Sequence, residues 1–206
     1  MRYTWPKFRL CRREGINLFW PEKYDVKNRR SRPGQHGSAR TRETEYAKLL
    51  RNKQVLKRIY QLSEKQFVKL VTEKSKRYAK NKLLDHDQVL MQFLNRRLDN
   101  VILRAWFART IFQARQMVVH GHFTLNGGKH NIPSYYVNPG DVIALKKWLQ
   151  SSSLYDLNTK NFRAPVWMSV DFANFTVKIL EMPTTAQDDQ PIPVDVLKVI
   201  EFYARA

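Results

Sequence analysis

The side chains in this sequence best able to do chemistry are guanidinium and ammonium groups. Their number and spacing suit the capture of a polyanion rather than the breaking of a bond. Arg2, Lys7, Arg9, Arg12 and Arg13 crowd the N-terminus, with Tyr3 among them. Arg32 and Arg40 flank Gly34-Gln35-His36-Gly37, a turn-rich stretch in which glycine lets the backbone approach a ligand closely. Lys48, Arg51, Lys53 and Arg58 follow in a helical pattern. A second group gathers later: Arg97, Arg109, Thr110, Arg115, Gln116, His120, His122, Asn126 and Lys129. Planar guanidinium forks, amides and hydroxyls of this kind grip phosphate oxygens.

Bond-breaking chemistry finds less support. The five histidines (His36, His86, His120, His122 and His130) have no cysteine or carboxylate partner at metal-ligand spacing. His120 and His122 flank Gly121 at an expected helix end, where phosphate contact or packing is preferred to a metal pair. His36 leaves ligand contact and loop structure equally open. Neither a phosphate loop of nucleotide-binding type nor a nucleophile elbow is present. The reading therefore expects no catalytic residue, no metal and no cofactor.

The charge balance agrees. The chain has 206 residues, 37 Lys+Arg against 18 Asp+Glu, a net charge of +19 and a pI near 10.2. Residues 1–82 carry 24 Lys+Arg and 7 Asp+Glu, whereas residues 150–206 carry 5 and 7. The excess thus lies in the first two-fifths, which points to an N-terminal polyanion-binding region. At 43% hydrophobic residues the chain can build real cores. Cys11 alone cannot close an internal disulfide. Runs of about 18 apolar residues are absent, as is the apolar core of a signal peptide, so a soluble intracellular protein is expected.

These groups need elements to position them. Pro6, Gly15, Pro21, Pro33, Gly34 and Gly37 make residues 1–45 read as an irregular basic segment ordered mainly by its partner. Tyr46, Leu49, Leu50, Leu56, Ile59 and Tyr60 share one helical stripe. Ser63-Glu64-Lys65-Gln66 fits a capping box before a second helix with Phe67, Leu70, Val71 and Tyr78 inward. A third helix, starting near Asp85 or Asp87, carries Leu90, Phe93, Leu94, Val101 and Ile102 toward a core. Thr110-Ile111-Phe112-Gln113 is a second capping box, and Gly121 suits a left-handed helix end. Phe123-Thr124-Leu125, the Asn126-Gly127 turn and a return at Ile132 read as a hairpin, and Asn138-Pro139-Gly140-Asp141 leads into a strand over 142–145. Two alternating strands follow over 166–170 and 175–179. Asp195 caps a last helix bearing Leu197, Ile200 and Tyr203. The fold class is α+β: a mainly helical domain over 46–93, completed by 194–206, with a module of short helices on a small antiparallel sheet over 94–182.

Several of these motifs are recognisable together. Arg97-Leu98-Asp99, Thr110 with Ala114-Arg115-Gln116, His120-Gly121-His122, Leu125-Asn126-Gly127, Ile132-Pro133-Ser134-Tyr135 and Pro139-Gly140-Asp141 resemble the RNA-binding module named after the fourth protein of the small ribosomal subunit. Arg2-Tyr3-Thr4, Arg12-Arg13-Glu14-Gly15, Pro33-Gly34-Gln35-His36-Gly37 and Ile200-Glu201-Phe202-Tyr203 extend the resemblance to bacterial-type members of that ribosomal family over nearly the whole chain. It is weakest over 150–164 and 182–195. The module is shared by many proteins, whereas the N-terminal loop is more specific.

The resemblance implies a structural constituent of the small ribosomal subunit, not an enzyme. Such a protein binds the multi-helix junction in the 5′ domain of small-subunit ribosomal RNA early in assembly. It also implies neighbours, namely ribosomal proteins three and five and the mRNA where it enters the subunit, and an influence on decoding accuracy. The implied location is the small subunit in a bacterial cytoplasm or an organellar (plastid or mitochondrial) matrix, with no membrane partner and no homo-oligomer. Some members carry a four-cysteine zinc knuckle; this chain has only Cys11, and no metal site is carried over. Trp5 stands where members commonly have glycine.

Two alternatives stay in view. Arg97-Leu98-Asp99 also resembles the catalytic triplet of pseudouridine synthases, some of which bear the same module. Those enzymes place the aspartate in a separate domain for which this chain lacks length, so a salt-bridging or capping Asp99 is preferred. A free RNA chaperone carrying the module is the other alternative; such proteins usually lack the 33–37 loop and a leading helical domain.

Overall fold

A computed structural model describes the chain except residues 1, 2, 4, 28, 40, 41, 83, 156–162, 184–193 and 206. Its contacts divide it into two compact units, residues 1–87 with 190–206, and residues 88–189. The second unit is thus inserted within the sequence of the first.

In the first unit, α1 (Lys7–Glu14) starts behind Pro6 and stops at Gly15, whose φ of 75° only glycine adopts cheaply. This helix lies inside the segment expected to be irregular. At eight residues it is too short to be stable alone, and tertiary contacts hold it through Leu10, Cys11 and Glu14. Leu10 and Cys11 are buried, and the Glu14 carboxylate is sequestered between Arg51, at 3.1 Å, and Arg58. Leu10, Cys11 and Glu14 thus tie α1 to the rest of this unit.

Both charged groups that grip Glu14 come from α2 (Glu45–Ile59), which Thr44 caps by accepting the Ala47 N–H at 3.2 Å. Leu49, Leu56 and Ile59 face inward as the stripe requires, while Tyr46 stays exposed beside Phe202. The expected Ser63–Gln66 capping box opens α3 (Glu64–Val68), both of its reciprocal bonds being present. That helix widens into a π-helical stretch, Lys69–Ser75, and tightens again in α4 (Lys76–Lys82). Hydroxyls and one imidazole occupy the carbonyls loosened by the wider turn. Thr72 donates to Val68 at 2.9 Å, Ser75 donates to Val71 at 3.2 Å, and His86 Nε2 lies 3.1 Å from the Val71 oxygen.

The unit is closed by α8 (Val196–Ala204), capped by Asp195, which accepts the Lys198 N–H at 3.3 Å. It packs on α2 with Val196, Val199 and Phe202 buried; of the expected Leu197, Ile200 and Tyr203, Leu197 is exposed, whereas Tyr203 meets Phe67 and donates to Glu64. Phe202 meets Tyr46, and the Lys53 ammonium lies over the rings of both Phe202 and Tyr203.

The second unit begins in the first turn of α5 (His86–Asn95). The sequence reading placed this boundary later, at 93/94. Phe93 packs edge-on against Tyr136 at 5.4 Å, and Arg96 donates to the Val137 carbonyl at 2.8 Å, so the end of α5 associates with the module. The pair α6 (Leu98–Arg104) and α7 (Ile111–Val119) lies in the same unit as a five-stranded antiparallel sheet, β1 (Phe123–Leu125), β2 (Gly128–Lys129), β3 (Val142–Leu145), β4 (Met168–Asp171) and β5 (Thr176–Ile179). The strand order is β2-β1-β3-β5-β4, with Phe123 opposite Leu145 and Ile143 opposite Val177. Those residues and Ile179, all buried, supply the apolar face, and Phe107 meets Phe123, Phe172 and Phe175 in an aromatic cluster.

Asn126 and Gly127 take φ of 49° and 80°, the primed turn expected of that dipeptide. The return strand is Gly128–Lys129, however, and Ile132 is exposed. A two-residue turn pairs the residues next to it, and β2 ends before the apolar residue is reached. The observed architecture is the α+β class that the sequence indicates.

Candidate nucleic-acid interface

In the second unit the most constrained group is Asp99. The N–H groups of Leu98 and Asp99 are held by the carbonyls of Tyr135 at 2.9 Å and Pro133 at 3.1 Å, which fixes the start of α6. The Asp99 carboxylate is 1% exposed and lies between two guanidinium groups. Arg97 donates to Oδ1 at 3.2 Å and to Oδ2 at 3.0 Å, while Arg115 donates to Oδ2 from Nε at 3.0 Å and Nη2 at 2.6 Å. A carboxylate committed to two cations in this way is an ion-pair hub between α6 and α7. The preference for a salt-bridging Asp99 agrees with this geometry.

The start of α7 is built as expected in one half only. Thr110 accepts the Gln113 N–H at 3.2 Å, but the Gln113 side chain reaches past Thr110 and accepts the Arg109 N–H at 2.9 Å. Arg109 is thereby set, exposed, at the positive end of the helix. The other end is a Schellman turn. Gly121 at φ 68° donates to Val118 at 2.8 Å and His122 donates to Met117 at 3.1 Å, which turns the chain into β1. His120 projects into solvent beside it. His122 Nδ1 lies 2.7 Å from the hydroxyl of buried Tyr155, and burial first, then His120 and Lys146, pulls its pKa below the ordinary value. Asn126 is occupied by its own turn, donating to Asp141 at 2.8 Å and accepting the Val142 N–H at 2.8 Å. Gln116 and Lys129 stand exposed.

In the first unit the basic residues separate into two sets. Arg12 donates to the Ser31 carbonyl at 2.9 Å and the Arg32 carbonyl at 3.2 Å, and Arg32 pairs with Glu43 at 2.5 Å. The loop 33–37 hangs from that anchor. Its Gly37 is needed, because a Cβ there would come within 1.9 Å of the Arg32 oxygen. Arg51 and Arg58 serve Glu14, and burial pulls the Arg58 pKa down while Glu14 opposes the shift.

Lys53, expected among the RNA-binding residues, is 6% exposed and belongs to the core. Its ammonium pairs with Glu64 at 2.8 Å and sits 4.4 Å above the Phe202 ring. Glu64 also accepts from Lys57 at 2.7 Å and from the Tyr203 hydroxyl at 2.9 Å. Burial alone would raise the Glu64 pKa, but these three donors outweigh it and hold the value at about 2. Arg97 and Arg115 are likewise committed inside the fold. Five cations of the expected set, Arg51, Lys53, Arg58, Arg97 and Arg115, thus serve carboxylates first, because the buried or half-buried carboxylates Glu14, Glu64 and Asp99 need partners.

The remaining candidates face outward. Arg9, Arg13, Lys48, Gly34, Gln35 and His36 are exposed; Lys7 and Tyr3 are half-buried. Arg2 and Arg40 lie outside the described residues. The sequence reading missed one further set: Lys65, Lys69, Lys76, Arg77, Lys80 and Lys82 are all exposed along α3, the π-helical stretch and α4. The signal was available, since Glu73 is the one acid between residues 65 and 82. Among the described residues no group of three histidine, cysteine or acidic side chains could hold a metal, and no helix is long and apolar enough to cross a membrane.

The unit that holds this helix pair and the antiparallel sheet contains an S4 domain, joined in sequence to a basic helical unit. Residues 96–143 match the S4 domain, and residues 2–95 match the ribosomal protein S4/S9 N-terminal domain. The chain is 40% identical over 214 residues to the small ribosomal subunit protein uS4 of Thermotoga maritima, with 99% of each chain covered. The same figures hold for uS4 of Thermus thermophilus, and uS4A of Symbiobacterium thermophilum is 39% identical over 216 residues. The chain belongs to the uS4 family of small-subunit ribosomal proteins, structural components and not enzymes.

Proposed function

We propose that this chain is a constituent of a bacterial-type small ribosomal subunit that binds ribosomal RNA at the multi-helix junction of the 5′ domain early in assembly. In this reading it borders the mRNA where it enters the subunit, touches ribosomal proteins three and five, and influences decoding accuracy. Two basic surfaces do the binding. One is the first unit, with Arg9, Arg13, Lys48, the 33–37 loop and the exposed lysines of α4. The other is the module, with Arg109, Gln116, His120 and Lys129. The observation that carries the reading is the division of the cations. Lys53, Lys57, Arg51, Arg58, Arg97 and Arg115 are held by Glu14, Glu64 and Asp99, while Arg9, Arg13, Lys76, Arg77 and Lys80 stand in solvent with no carboxylate partner among the described residues. A fold that needed its charge only for self-assembly would not leave this excess unmatched.

The test is binding of the full chain to the 5′-domain fragment of small-subunit ribosomal RNA across a salt series. If on the order of 8 phosphates are neutralised, log K falls with log salt at a slope of about −5 to −8. A slope near −1, or failure of the chain to sediment with small subunits at low salt, would refute the reading.

A further inference from the structure

Resting on the RNA reading above, we propose that the first unit carries a nucleotide pocket, in which Trp5 stacks an unpaired base of the ribosomal RNA while Arg9 and Arg13 hold its phosphate. An open concavity of about 330 Å³ lies beside α1, lined by Tyr3, Trp5, Arg9, Arg13, Pro33 and Arg58, with Leu10 at its floor. That volume is at the small end for ligand sites and suits one nucleotide rather than a helix or a peptide strand.

Three features of the lining point to this occupant. Trp5 is 64% exposed, although an indole normally buries its large apolar face. Pro6 immediately follows it and opens α1, so Trp5 stands next to the helix that carries Arg9 and Arg13. Arg9 and Arg13 stand one helical turn apart on α1, exposed and with no ion-pair partner among the described residues, whereas Arg58 below them is neutralised by Glu14. The pocket thus offers an aromatic plane and two unmatched guanidinium groups together. An uncharged apolar ligand would leave the arginines unused, and a bare anion would leave Trp5 and Tyr3 in water. A nucleotide satisfies both, since every base has a face to stack and carries a phosphate beside it.

The full chain is titrated with the 5′-domain ribosomal RNA fragment at several salt concentrations, as wild type, Trp5→Ala, Trp5→Tyr and Arg13→Ala. Because Trp5 is largely exposed, its truncation leaves no cavity, and melting curves confirm folding. Trp5→Ala is expected to weaken binding roughly 10- to 100-fold with the salt slope unchanged, because a stacked base is lost and no phosphate contact. Trp5→Tyr stays within about 3-fold of wild type, while Arg13→Ala weakens binding and lowers the slope by about 1.

A second arm uses a ten-nucleotide oligoadenylate and inorganic polyphosphate, with Trp5→Phe as the fluorescence reference for the other tryptophans. Quenching of the Trp5 emission by the oligoadenylate alone is the expected result. Unchanged affinity of Trp5→Ala, or equal quenching by polyphosphate, overturns the pocket while leaving the RNA reading intact. A Trp5→Ala defect seen in whole subunits but not on naked RNA also overturns it, since Trp5 would then meet a protein. A wild-type chain that ignores the RNA fragment overturns both.

Discussion

Substituting Arg115 separates a structural pair from a phosphate contact, and the geometry around Asp99 sets the size of the effect. Arg115 places two N–H groups on one carboxylate oxygen, at 3.0 and 2.6 Å, and its side chain is 33% exposed. Arg97 holds the same carboxylate, so Arg115→Ala does not orphan Asp99. The loss is that of one charge-assisted contact, about 1–3 kcal/mol, and partial exposure puts it toward the lower end. For a chain of this length each kcal/mol is about 2–4 °C, so melting falls by roughly 3–8 °C. Asp99→Asn should be worse, about 3–5 kcal/mol, because it leaves Arg97 as a nearly buried cation without its counter-charge. Arg115→Lys recovers part of the loss, since an ammonium lacks the second aligned donor. Calorimetry or circular dichroism of the free protein reads the stability, and filter binding at a temperature where all variants are folded reads the affinity. RNA affinity is expected to stay within about 2-fold. An Arg115→Ala chain that melts like wild type yet binds RNA at least 10-fold more weakly would show that the Asp99 pair carries no stability and that the guanidinium meets phosphate.

Other expectations follow from neighbouring geometry. The Glu64 pKa, held at about 2 against an ordinary 4.5, lies lower in the folded state than in the unfolded one; its stabilisation is present above 4.5 and is lost as pH falls from there toward 2. Acid unfolding of Glu64→Gln should be shallower across that window, and an identical acid limb would refute the Lys53–Glu64–Tyr203 linkage. Double substitution of Lys76 and Arg77 by glutamine should reduce the salt slope of RNA binding by about 2 while shifting melting by no more than ~2 °C; an unchanged slope would remove α4 from the RNA surface. Gly37→Ala must displace the 33–37 loop, because the new Cβ meets the Arg32 carbonyl at 1.9 Å. Several-fold weaker RNA binding with nearly unchanged melting is expected, and equal affinity would mean that the loop does not touch RNA. The His122 resonances should titrate below the ordinary 6.5, with the histidine-linked stability declining as pH drops through that region; Tyr155→Phe tests whether the hydroxyl contributes.

Legibility in the sequence followed the range of the interaction concerned. Local signals were readable because they act within a few residues. The Ser63–Gln66 box, the Thr110 cap, the left-handed Gly121 and the Asn126-Gly127 turn stand where short-range sterics and hydrogen bonding put them. Apolar alternation marked β4 and β5, and the concentration of charge in residues 1–82 marked where a polyanion would bind. The resemblance of motifs along the chain indicated the family that the comparison with uS4 proteins establishes.

What only the tertiary structure decided is which cations are spent inside the fold and which are left over. By residue type Lys53, Arg58, Arg97 and Arg115 look like Arg9, Arg13 and Lys80. They differ because carboxylates reach them: Asp99 stands two residues from Arg97, but Glu14 is 44 residues from Arg58, Glu64 is 11 from Lys53 and Asp99 is 16 from Arg115. The same holds for α1, a helix too short to stand alone that is fixed by α2, and for α8, where Phe202 and Tyr203 find partners and Leu197 does not. Periodicity sees one element at a time. Desolvation makes a buried charge seek its counter-ion wherever folding brings one near, and that pairing is a property of the assembled fold.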